Sequence, residues 1–187
     1  SFNYNMRIIT TKQLKEIPRR IIYSKAYNET TQYNMADTKT GKLVGRMYGN
    51  MEREFSGSIY YPTLDYYDSF FIHLLDIKEK RQGHGTAFIN LAKNISKQNG
   101  GDGRIHLKAS NCFDAKHPAQ IFYRKLGFNS QYTEQLKMID KAIKHNKKLD
   151  RKKLCDIPMY LPTNPKPVHY EPNILERILD LFKKKQK

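Results

Sequence analysis

Tryptophan is absent from the 187 residues, and cysteine is nearly so. The two cysteines, Cys112 and Cys155, lie far apart with no metal-ligand spacing around them, which argues against a disulfide-stapled scaffold and for a reducing compartment. The cytoplasm is the default expectation. No apolar run approaches the roughly eighteen residues of a membrane-spanning helix, so no transmembrane segment is expected, and no signal peptide is visible. A chain that begins at Ser1 reads as processed or as carrying a tag remnant. Internal repeats and low-complexity tracts are also lacking. Acid is scarce as well: 18 Asp plus Glu face 34 Lys plus Arg, a formal charge of +16 that favours anionic partners such as nucleic acid or a membrane surface. Against these absences, 39% hydrophobic and 12% aromatic residues are enough for a folded core in a chain of one-domain length.

The most informative stretch begins with a strand, Ser69 to Ile77, that feeds Lys80-Arg81-Gln82-Gly83-His84-Gly85-Thr86. A helix of about fifteen residues follows, its apolar positions Ala87, Phe88, Leu91, Ala92 and Ile95 repeating at helical spacing. Gly83 and Gly85 therefore sit at the strand-to-helix turn, where the backbone approaches a ligand closely and the first-turn N–H groups point at it. Such a place binds anions. A dinucleotide fingerprint needs a third glycine where Phe88 stands. A Walker loop fails too, because the one Gly-Lys pair, Gly41-Lys42, has Ala36 where the first glycine belongs and Leu43 where Ser or Thr belongs.

A second element, Ala119, Phe122, Tyr123, Leu126, Gly127 and Phe128, follows after a strand from Arg104 to Ala109, and Met159-Tyr160-Leu161 forms a further strand near the end. In this order the motifs resemble the GNAT superfamily of N-acetyltransferases over roughly residues 6 to 162, with Lys80 standing where that family has Gln or Arg. The resemblance implies an α/β fold: a central mixed twisted sheet of six to seven strands flanked by helices. It implies acetyl-CoA as co-substrate and transfer of acetyl to a primary amine by direct attack in a ternary complex, with no metal. Leu75, Asp76 and Ile77 would lie along the pantetheine arm and offer a backbone N–H to the thioester oxygen, as an oxyanion hole does. The backbone of Arg81, Gln82, Gly83, His84, Gly85 and Thr86 would hold the pyrophosphate, with Lys80 and Arg81 as counter-charge. Tyr123 matches the residue that protonates the departing thiolate.

His73 and Asp76 are the candidates for general base, and three residues apart on one strand they are expected on opposite faces. Two departures from the family stand nearby: Lys116 replaces a common Asn, and the loop Ser110 to His117 is long. Cys112 and His117 in that loop are a weak thiol-and-base pair. The acceptor cleft implied by the resemblance is framed by Ile17 to Asn28 and by Tyr60, Tyr61, Tyr66 and Tyr67. These tyrosines beside Asp65 and Asp68 suit a cationic amine, or stacking on nucleotides.

Elsewhere, Met6 to Thr10 reads as a strand, and Thr10 with Gln13 as a capping box opening a helix that carries Leu14 and Ile17. Pro18 suits the start of a second helix carrying Ile21 and Ile22. Asn34 to Thr38 and Leu43 to Tyr48 flank Lys39-Thr40-Gly41-Lys42 as a hairpin would. Between Lys137 and Lys153 a basic helical insertion carries Leu136, Ile139 and Ile143 at helical spacing; its cations suit a solvated face, RNA or an acidic protein. Residues 1–162 form the acetyltransferase domain in this reading. Residues 163–187 add a proline-rich linker and a basic amphipathic helix with Ile174, Leu175, Ile178, Leu179 and Phe182, which packs on the domain, on a dimer mate or on a membrane surface. Two alternatives for function are a GNAT acting on aminoacyl-tRNA and a non-catalytic module that binds RNA, protein or membrane through its basic surface.

Overall fold

The computed structural model describes residues 6–9, 20–27, 30–55, 59–60, 66–110, 118–149 and 156–177. The chain divides into two compact units, one of Ser1–Lys108 with Tyr160–Thr163, the other of Ala109–Met159 with Asn164–Lys187.

The first unit is built on a mixed sheet. Its strands are β1 (Met6–Ile9), β2 (Arg20–Tyr27), β3 (Thr30–Asp37), β4 (Leu43–Phe55), β5 (Tyr66–Ile77) and β6 (Ile105–Ala109), hydrogen-bonded in that order. The Tyr160–Leu161 end of β7 (Ile157–Leu161) follows β6. Neighbours from β1 to β5 run antiparallel, while β6 is parallel to β5 because α1 (His84–Gln98) supplies the crossover between them. The hairpin of β3 and β4 is closed by Asp37, whose carboxylate accepts the N–H groups of Lys39 and Thr40, and by Gly41 at φ 67°.

One sheet face is apolar. Ile22, Tyr33, Met35, Met47, Phe70, Ile72, Ile105 and Leu107 are buried, as is the Ala87, Phe88, Leu91 and Ala92 stripe of α1, the helix that packs on β4 and β5. Gly45 and Gly49 let the helix and Phe70 approach: a Cβ would come within 3.0 Å of Phe88 at Gly45 and 2.4 Å of Phe70 at Gly49.

The second unit pairs α2 (Ala119–Lys125) with α3 (Thr133–Lys144). Arg124 grips Asp140 through two N–H groups at 2.6 and 3.0 Å and donates a third bond to the Phe128 carbonyl at 2.9 Å. The Leu-Gly-Phe sequence ends α2: Gly127 takes φ 93°, and the Phe128 N–H returns to the Tyr123 carbonyl. Leu136, Ile139 and Ile143 are buried, as their spacing predicts, with lysines on the outer face. Residues 165–173 carry no regular structure, and a helical turn follows at 174–177, with Ile174 and Leu175 exposed.

Two expectations need correction. Ile21 and Ile22 lie in a strand, not a second helix, because β2 pairs residue by residue with β3 from Arg20↔Asp37 to Tyr27↔Thr30. The capping box at Thr10 and Gln13, and Leu14 and Ile17 with it, lies outside the described residues.

Candidate functional site

Pairing between β5 and β6 is short. It covers Phe70↔Ile105, Phe71↔His106 and Ile72↔Leu107, and among the described residues no partner on β6 is recorded past Ile72, although β5 runs on to Ile77. Immediately past that point β5 carries an extra residue: Gly49 pairs with Ile72 and Tyr48 with Leu74, so His73 has no opposite number. Among the described residues, the two features together leave the backbone of Leu75 to Ile77 paired with β4 alone, as a segment must be to take an extended ligand along its other edge.

From Ile77 the chain enters the turn Lys78 to Gly83. Arg81 has φ 61° and Gly83 has φ 77°, and Gly83 caps α1 without a side-chain hydrogen bond. No acid occupies the first helical turn. The first intrahelical bond is the Ala87 N–H to the Gly83 carbonyl, so the N–H groups of His84, Gly85 and Thr86 precede the ladder. Lys80, Arg81, Gln82 and Gly83 are exposed, and Gly85 and Thr86 are half-buried. The chemistry of this turn suits a polyphosphate: exposed cations, unladdered donors and the positive end of a four-turn helix.

The His84 side chain turns inward. Its Nε2 accepts a bond from Arg20 Nε at 3.4 Å, and burial first, then the Arg20 charge, hold the imidazole below its ordinary pKa. Arg20 is the hub beneath the turn: it also pairs with Asp37 and reaches Glu79 at 3.3 Å. Nothing in the sequence of Arg20 announces this role, because its partners come from three other segments.

The second candidate region is the sheet face opposite α1, where β4, β5 and β6 place polar groups together. The bulge at His73 resets the alternation of β5, so that Asp76 faces the same way as His73; the expectation of opposite faces is overturned by that one extra residue. Asp76 is held by Lys78 at 2.9 Å and by Arg46 at 3.2 Å, and the Lys78 hydrogen bond, with the charges of both cations, pulls its carboxyl below the usual range. An aspartate so paired is a poor proton acceptor.

His73 is better placed. Its ring is exposed on one side, bonds Asn50 through Nε2, lies 4.0 Å from the Glu52 carboxylate and meets Phe71 edge to face at 4.3 Å. Glu52 also faces His106 at 3.4 Å, and Asn50 donates to Glu52 at 3.4 Å. His106 is buried, bonded to Ser69 through Nδ1 and stacked flat on Phe71 at 4.7 Å, with Tyr60 at 4.5 Å. Burial, with the neighbouring His73, lowers its pKa to about 4. Glu52, Asn50, Ser69 and His106 were not among the sequence candidates. The available signal was polar residues on one alternation of each strand, 50 and 52, then 69 and 73.

Tyr123, in the second unit, is buried between Phe122 at 5.1 Å and Phe128 at 5.2 Å, and burial pushes its phenol up, so it is protonated at neutral pH. Asp68, expected beside a cationic amine, is taken by Arg53 at 2.9 Å, which also lies over the Tyr66 ring; Tyr67 is buried. Tyr61, Asp65, Cys112 and His117 lie outside the described residues. Among the described residues no cluster of metal-ligating side chains is found, and no helix is long and apolar enough to cross a membrane.

No family model matches the chain, and no curated protein does. Among solved structures, a bacterial toxin is similar over 82% of this chain and 72% of its own, with 14% identity and a TM-score of 0.48. A likeness at that level carries no argument about fold or chemistry.

Proposed function

We propose that the chain is an acetyl-CoA-dependent N-acetyltransferase of the GNAT type that acts on a primary amine by direct attack in a ternary complex. The observation that carries the reading is the early end of β5–β6 pairing beside the bulge, followed directly by the uncapped, Gly83-led start of α1. An extended thioester arm with a pyrophosphate at its end has the shape and charge for those two places. The N–H groups of Gly83 to Thr86 bind the pyrophosphate, Lys80 and Arg81 add counter-charge, and a backbone N–H in Leu75 to Ile77 polarises the thioester carbonyl.

The amine must lose a proton before its lone pair is free. It then forms the C–N bond, the C–S bond breaks, and the thiolate leaves with a proton, so that acetylated amine and free thiol are the products. The resemblance gives the donor's part to Tyr123, protonated at neutral pH; the second proton that the acylated nitrogen sheds replaces the one the donor gives up. The net charge of +16 supports a second reading for the acceptor, the amino group of an aminoacyl-tRNA, which would show as strongly salt-dependent binding of RNA.

Titration calorimetry of acetyl-CoA against the parent and Gly83→Asp tests the proposal. Micromolar binding by the parent, abolished in a variant that keeps its near-UV circular dichroism, supports it. A folded parent that takes up no acetyl-CoA ends it.

A further inference from the structure

The polar face of β4, β5 and β6 joins two histidines through one carboxylate. The Nε2 of His106 lies 3.4 Å from Glu52, and its Nδ1 bonds the Ser69 hydroxyl. At the other end the Asn50 amide nitrogen donates to Glu52, which turns the Asn50 oxygen toward His73 and fixes the His73 Nε2 as a donor. In the neutral ring this leaves His73 Nδ1 with a lone pair, on an exposed side chain. Behind it stands one carboxylate, beside it lies the Phe71 ring, and Tyr60 lies against the neighbouring His106. Glu52 thus offers a negative charge beside an exposed ring in a protein whose net charge is +16.

We infer that His73, Asn50 and Glu52 form a recognition site for a primary ammonium group, in which the cation gives one proton to His73 Nδ1 and Glu52 supplies the charge that attracts it. The inference rests on the acetyl-transfer reading and names its acceptor class: amines that arrive as cations without an adjoining carboxylate or phosphate, which Glu52 would repel. Proton bookkeeping balances, because the ammonium becomes a neutral amine as the imidazole becomes an imidazolium, and His73 later returns the proton to water. His73 touches the substrate. Glu52 acts through it as a positioning residue, and His106, held neutral by burial and by the neighbouring His73, stands beside Glu52 on β6. The charged and titratable groups facing His73 are Glu52 on β4 and His106 on β6.

Imidazole NMR of the full chain tests this with phenethylammonium as the probe and phenylacetate as its anionic counterpart. The expected result is saturable movement of the His73 and His106 ring signals by the ammonium alone. Glu52→Gln keeps an acceptor near His106 and should weaken that binding about two- to threefold, the effect of removing one charge at about 8 Å, on the far side of the His73 ring, in a water-rich setting. In steady-state acetylation of the same amine, Glu52→Gln should raise KM for the amine by a similar factor while KM for acetyl-CoA stays put. Equal response to phenylacetate, or an ammonium response unchanged in Glu52→Gln, overturns the inference. Acetyl-CoA calorimetry on the same samples separates the two claims: cofactor binding without ammonium binding sinks this site alone, and ammonium binding without cofactor binding sinks the acetyltransferase.

Discussion

Replacing His106 with glutamine should flatten the acid side of the stability profile. His106 is 1% exposed, and its folded pKa is about 4 against an ordinary value of 6.5. The unfolded chain therefore binds a proton first. As pH falls below 6.5 the unfolded state is favoured progressively, and the loss stops growing only near pH 4, where the folded ring is protonated too. Linkage between those two values gives a loss of about 2 kcal/mol at pH 5 relative to pH 7.5, and about 3 kcal/mol in the acid limit. A glutamine at position 106 can offer an N–H toward Glu52 and an oxygen toward Ser69, but it does not titrate. Urea unfolding of parent and His106→Gln, followed from pH 7.5 to 5, should show curves that converge by about 2 kcal/mol toward acid, whatever the variant costs at neutral pH. His84, also depressed, contributes equally to both proteins and cancels in the difference. Parallel curves would refute the reasoning, because they would mean that His106 takes up its proton in the folded state as readily as in water.

Gly49→Ala should destabilise the first unit by about 1–3 kcal/mol in the same assay, since the new methyl meets not only the Phe70 ring but the Phe71 carbonyl at 2.5 Å, which is backbone and cannot swing aside. Arg20→Met should cost about 3 kcal/mol, because Asp37, its side chain 9% exposed, loses its guanidinium partner; the same variant should weaken acetyl-CoA binding measured by calorimetry, as the turn at Glu79 and His84 loses its tether. Tyr123→Phe should keep its Tm and lower kcat about a hundredfold or more with KM for acetyl-CoA little changed; an unchanged kcat would remove Tyr123 from the mechanism.

How much of this could be read from the chain varies with how local the cause is. The β5, turn and α1 unit was legible because each part carries its own signal: an apolar run, two glycines, then helical periodicity from Ala87 to Ile95. The β3–β4 hairpin and the buried positions of α3 were legible for the same reason, although that helix ends at Lys144 and residues 145–149, read as part of it, lie beyond it. Ile21 and Ile22 were not, because two adjacent isoleucines after Pro18 suit a helix or a strand equally, and what decides is the pairing of Arg20 to Tyr27 with β3, a contact between segments. The bulge was hidden likewise: an extra residue in β5 exists only relative to the count in β4. Of the site, the phosphate turn and His73 were found from sequence, whereas Glu52, Asn50 and His106 acquire meaning only when three strands stand side by side. Asp76 looked equivalent to His73 until Arg46 and Lys78 were seen to occupy it.

The unmatched His73 makes β5 a splice of two reading frames. Before it, odd-numbered residues such as Ser69 and Phe71 look toward the polar face; after it, even-numbered Leu74 and Asp76 do. Deleting one residue at this point would be a frameshift in space rather than in code: Leu75 and Ile77 would be turned out and Asp76 turned in toward Phe88, with the composition of the strand otherwise untouched. Substitutions here are therefore graded changes, while a change of length by one is all or nothing, and variation of this protein should preserve the spacing from Ser69 to Gly83 more strictly than the residues that fill it.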